Sequence, residues 1–116
     1  MKAIERIKWL AYGNHPQTAK YRKSAETILE HLRNQGATEK SELAEAIGLN
    51  TAIESEDRKF KRIMQPLKGD NDSNPLDISF IYSYQDGHDR YYELSRPAFD
   101  ASLKVVKKNL RDFLGE

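Results

Sequence analysis

Between residues 55 and 69 the chain reads SEDRKFKRIMQPLKG, and its basic and amide side chains carry the clearest chemistry in the sequence. From Arg58 to Lys68 there are five bases (Arg58, Lys59, Lys61, Arg62 and Lys68) and no acid. A solvated helix face ordinarily mixes acids with bases at i, i+4 spacing, so this asymmetry points to a polyanionic partner. Arginine can make bidentate contacts to guanine edges or phosphates, Gln65 can read adenine, and lysine neutralises phosphate. At ~100° per residue, Phe60, Ile63, Met64 and Leu67 share a narrow arc. Arg58, Arg62 and Gln65 fall opposite, with Lys61 at the edge. The spacing thus predicts a helix with one dry face and one basic face.

Other chemistry is poorly supplied. The run DNDSN at 70–74 alternates oxygen ligands as a calcium loop begins, but its sixth place is Pro75 and its twelfth is Ile81, where glycine and glutamate are needed. His15, His31 and His88 lie far apart and form no zinc-ligand pattern, so no metal or other cofactor is expected. There is no phosphate-cradling glycine loop and no nucleophile elbow, and the protein is not expected to be an enzyme. Further cations that could hold a nucleic-acid backbone are KYRK at 20–23, Lys40 with its neighbour Ser41, and Arg90 beside a turn.

Several elements must position these residues. Ile4, Ile7, Leu10 and Ala11 are at helical spacing, predicting a first helix over 2–12 that GNHP breaks. Ser24 as N-cap, the stripe Ala25, Ile28, Leu29 and Leu32, and Gly36 predict a second. In ATEKSELAEAIGLN, 37–50, Leu43, Ala44 and Ile47 form a third stripe, stopped by Gly48, where a turn lets the next helix cross closely. Ser55 reads as N-cap of the basic helix, with Glu56 and Asp57 favoured in its first turn by the helix dipole. Pro66 should end or kink that helix, so that the basic face stops near Gln65 and Lys68 lies in the exit turn.

Beyond the polar stretch KGDNDSNP, LDISFIYSY at 76–84 and RYYEL at 90–94 read as two strands of a hairpin around Asp86-Gly87. Tyr82, Tyr84, Tyr91 and Tyr92 should alternate between its faces. Pro97 then opens a last helix whose apolar residues Phe99, Leu103, Val106, Leu110 and Phe113 step by four, three, four and three. That heptad seam serves either a homodimer contact or packing against the domain core.

SELAEAIGLN, RKFKRIMQPLKG and ISFIYSYQDGHDRYYEL, taken in that order, resemble the winged helix-turn-helix superfamily across residues 25–95. The resemblance implies a mainly α fold with a β-hairpin wing (α+β), carrying extra helices at 2–12 and 97–114. It also implies that the helix after the turn enters the major groove, that the wing touches flanking backbone, and that the outer helices hold a dimer. The implied DNA-binding set is Arg58, Lys59, Lys61, Arg62, Gln65, Lys68, Arg90, Lys40 and Ser41. Two features depart from the family: TAIESE lengthens the turn before the basic helix, and Asp86 and Asp89 at the wing tip would face phosphates.

At 116 residues the chain suits one domain. Its 38% hydrophobic and 32% charged residues include no apolar run long enough for a membrane span. It has no cysteine, which removes disulfides and thiolate chemistry. MKAIERIKWLAYG does not read as a secretory signal, and a cytoplasmic, nucleoid-associated location is expected. The net charge is only +1, so attraction to nucleic acid must come from where the charges sit. The expected function is sequence-specific binding of double-stranded DNA by a dimeric transcriptional regulator. The alternatives are a winged-helix adaptor that binds protein, or a plasmid or viral replication or partition protein.

Overall fold

The computed structural model describes residue 12, residues 20–68 and residues 80–94. Those residues form an α+β fold of three helices and a small antiparallel sheet, in the order α1 (Arg22–Gln35), β1 (Thr38–Glu39), α2 (Lys40–Ala46), α3 (Glu54–Lys68), β2 (Ile81–Asp86) and β3 (Asp89–Leu94).

Helix α1 buries Ala25, Ile28, Leu29 and Leu32, one stripe at steps of three and four. It begins two residues before the expected cap at Ser24, because the Tyr21 carbonyl accepts the first helical bond from Ala25 at 2.9 Å. Tyr21 itself supplies no side-chain cap. Gly36 ends the helix as its position predicts, at φ 80°, where its N–H reaches the Leu32 carbonyl.

Within the stretch 37–50 a two-residue strand precedes the expected helix. Thr38 pairs with Tyr92 and Glu39 with Tyr91, which makes the hairpin a three-stranded sheet of order β1-β3-β2. Helix α2 starts at Lys40, with Glu39 as its N-cap. Its C-terminus is a Schellman arrangement: Leu49 N–H bonds the Ala44 carbonyl, Gly48 N–H bonds the Glu45 carbonyl, and Gly48 takes φ 79°. Ile47 lies past the last helical residue and is half-buried against the core.

The lengthened turn has its own bonds. Asn50 Oδ1 accepts from Ala52 N–H at 3.0 Å, the Asn50 carbonyl accepts from Ile53 N–H, and the Glu56 carboxylate accepts from Asn50 N–H at 3.0 Å. The Ile53 carbonyl then takes the first bond of α3, from Asp57 N–H. Ile53 is thus the residue that caps α3, not Ser55, which is exposed within its first turn. Pro66 does not end α3 at Gln65; the helix runs to Lys68, because a proline in the last turn removes a single donor and its ring is buried.

The hairpin strands also shift from their expected limits, to 81–86 and 89–94, so that Gly87 and His88 form the two-residue tip. Gly87 has φ 65°, which glycine adopts without steric cost. Phe80 N–H bonds the Leu67 carbonyl at 2.8 Å, tying the start of the hairpin to the end of α3.

Phe60, Ile63, Met64 and Leu67 of α3 meet the α1 stripe, Leu43, Phe80, Ile81, Tyr92 and Leu94 in one core. Phe60 and Tyr92 pack edge to face, with centroids 5.7 Å apart. Tyr12 is helical and buried, and its hydroxyl donates to the Ile63 carbonyl. Burial in this apolar setting pushes its phenol far above the ordinary value. The rest of the helix expected at 2–12, residues 69–79 with the start of the first expected strand, and the helix expected at 97–114, with Phe99, Leu103, Val106, Leu110 and Phe113, lie outside the described residues. Among the described residues no helix is long and apolar enough to cross a membrane.

Candidate functional site

Helix α3 turns its apolar arc into the core and its opposite arc toward a groove of about 520 Å³ between α3, the start of α2 and strand β3. Lys61, Arg62, Met64, Gln65 and Lys68 form its α3 side, Lys40 comes from α2, and Arg90 and Tyr92 from β3. Five cations and one amide line the groove, and no lining residue is acidic. Lys68 reaches it because the helix continues past Pro66. Arg90 reaches it because, two residues from buried Tyr92, it shares the inner face of the sheet.

One carboxylate organises the wall from behind. Asp57 lies 2.6 Å from Lys40 Nζ and 3.2 Å from Lys61 Nζ, joining α2 to α3. Its side chain is 20% exposed. The hydrogen bond from Lys40, reinforced by Lys61, holds the Asp57 carboxyl below the ordinary aspartate range. Two of the five cations are therefore held in place and partly neutralised. On β3, Arg90 donates to Ser83 Oγ across the hairpin at 2.9 Å, which keeps the guanidinium on the inner face.

Three of the expected binding residues lie elsewhere. Arg58 is one turn nearer the start of α3, exposed, and 3.8 Å from Glu54 at i, i+4 spacing. Lys59 is exposed and does not line the groove, although it lies one turn, three positions, before Arg62. Ser41 faces a separate hollow with Glu45, Leu49, Asn50 and Thr51. Its hydroxyl donates to the Glu39 carboxylate, which also accepts from Ser41 N–H at 3.0 Å and Glu42 N–H at 3.4 Å. Chiefly that side-chain bond from Ser41 lowers the Glu39 carboxyl below its usual value. Ser41 thus belongs to the cap of α2. Lys20 at the head of α1 sits 5.1 Å over the ring of its neighbour Tyr21.

Sequence reading did not assign Tyr92, which lines the groove, or Asp57, which braces two of its lysines from behind. Asp57 meets Lys61 at a helical spacing that could have been read, whereas its contact with Lys40 is tertiary and leaves no local signal. Among the described residues no three His, Asp or Glu side chains stand close enough to hold a metal ion. No protein-family model, curated protein or solved structure matches the chain. Function must therefore be inferred from the chemistry of the groove.

Proposed function

We propose that the protein binds double-stranded DNA through α3 and the adjoining groove, as a winged helix-turn-helix domain in which α2 and α3 form the helix-turn-helix and β2–β3 the wing. The observation that carries this reading is convergence. Residues from three elements far apart in sequence, Lys40, Lys61, Arg62, Gln65, Lys68 and Arg90, line one groove that no acid enters. Cations so placed neutralise phosphates, while Arg62 and Gln65 supply the donors and acceptor that base edges require. The order helix, helix-turn-helix, hairpin is that of the superfamily the sequence resembles, and the α+β arrangement is compatible with it. A transcription regulator that works as a homodimer is the role most in keeping with such a domain.

The test is a fluorescence-anisotropy titration of a random duplex, with the matching single strand as comparison, at low and moderate salt. Saturable binding that weakens with salt, and falls several-fold in Lys61→Ala/Arg62→Ala, supports the proposal. No saturable binding to the duplex overturns it.

A protein-binding adaptor is favoured by a different observation. Asp86 and Asp89 stand opposite each other at the exposed hairpin tip, where a DNA-contacting wing would meet phosphates. The groove and the tip carry opposite charge within a chain whose 19 basic and 18 acidic residues leave a net charge of +1.

A further inference from the structure

The sheet's inner face enters the core and the groove, whereas its outer face carries a separate chemistry. Three successive rungs of the hairpin point outward: Asp86 opposite Asp89, Tyr84 opposite Tyr91, and Tyr82 opposite Glu93. Tyr84 and Tyr91 are stacked, with centroids 5.7 Å apart and planes 14° apart, and Tyr82 leans on Tyr84 at 6.3 Å. Tyr82 donates its hydroxyl to Glu93. Tyr82 and Tyr84 are each 39% exposed, two of the three large apolar side chains so open among the described residues.

Like charges directly opposite each other on paired strands destabilise a hairpin. The Asp86–Asp89 pair therefore costs stability that a bound cation would return. We propose that this outer sheet face is a docking site for a cationic, arginine-bearing segment of a protein partner, its guanidinium lying over the Tyr84–Tyr91 rings and held by Asp86 and Asp89.

Ring faces attract cations, and guanidinium, being planar, combines stacking with paired hydrogen bonds to carboxylates. Burial and the nearby charges of Asp89, Asp86 and Glu39 raise the Tyr91 phenol, and the same carboxylates make the field over this face negative. Nucleic acid is disfavoured here, since stacking a base on Tyr84 would bring its phosphates beside the carboxylates. A second copy is disfavoured too. Its clustered cations line a concave groove.

The site is independent of DNA binding, and it is tested on the full chain with a labelled oligo-arginine peptide and an oligo-glutamate control. The wild type should bind the arginine peptide saturably, more weakly as salt rises, and leave the glutamate peptide unbound. Tyr84→Thr, which keeps a strand-forming residue, should weaken binding about two- to fivefold, the scale of an exposed cation–π contact. Asp86→Asn/Asp89→Asn should weaken it and flatten the salt dependence without loss of fold, because it removes a repulsion. Arg62→Ala/Arg90→Ala should bind the peptide as the wild type does, whatever happens to DNA binding. Equal peptide affinity in wild type, Tyr84→Thr and Asp86→Asn/Asp89→Asn overturns the proposal. So does self-association by light scattering that Tyr84→Thr abolishes in a protein that ignores the peptide, for then the face would belong to a second copy.

Discussion

Asp57 decides how much of the groove's charge is available. Its carboxylate pairs with Lys40 and Lys61, fixing both lysines while lowering the potential they offer a phosphate. Asp57→Asn should therefore tighten duplex binding about two- to fivefold at low salt, the scale of exposed ion pairs, with the difference shrinking as salt rises. Paired anisotropy titrations measure it, and weaker binding would mean that Asp57 serves mainly to position the lysines. The same carboxylate sets an acid limit to stability, together with Glu39. Both have folded pKa values below their unfolded ones, so the stability each contributes is complete above the unfolded carboxylate range and is lost as pH falls through the folded value. Thermal unfolding followed from neutral pH downward should show Tm falling below about pH 4, and Glu39→Gln/Asp57→Asn should flatten that fall.

At the scale of elements, the turn between α2 and α3 sets where the basic helix lies. Gly48 holds φ 79°, and a Cβ there would meet no atom within 4 Å. Gly48→Ala should thus cost about 1 kcal/mol through backbone conformation and not through a clash, measured as a lower midpoint of denaturant unfolding. Gly48→Asn should cost less, because asparagine tolerates the left-handed region. Such features were legible beforehand: the stripes of α1 and α3, the stops at Gly36 and Gly48, and a hairpin around Gly87 all follow from period and turn chemistry. Features settled by tertiary contact were not. Two residues cannot show alternation, so β1 carried no strand signal and became visible only through its partners Tyr91 and Tyr92. Ser55 had the side chain of a helix cap, but the Asn50 turn and the Glu56 clasp start α3 earlier. The division of the basic residues was only partly legible. Helical phase set Arg58, Arg62 and Gln65 together with Lys61 at the edge, of which Arg58 lies outside the groove, whereas the approach of Lys40 and Arg90 depends on how α2 and β3 pack against α3.

Across the whole molecule, a net charge of +1 conceals two sites of opposite sign. The cationic groove lies on one side of the sheet, and the tyrosine and carboxylate face lies on the other. Opposed sites of this kind would suit a protein that holds a polyanion while it recruits a cationic partner. The central claim is that the groove as a unit, not basic charge in general, binds DNA. Its most direct test is the slope of log affinity for a duplex against log salt concentration, compared among wild type, Arg62→Ala/Arg90→Ala and Lys59→Ala. Removing two groove cations should lower the magnitude of that slope by about two, while Lys59→Ala leaves it unchanged. Equal slopes in all three proteins, or a loss as large in Lys59→Ala as in the groove variant, would contradict DNA binding through the groove.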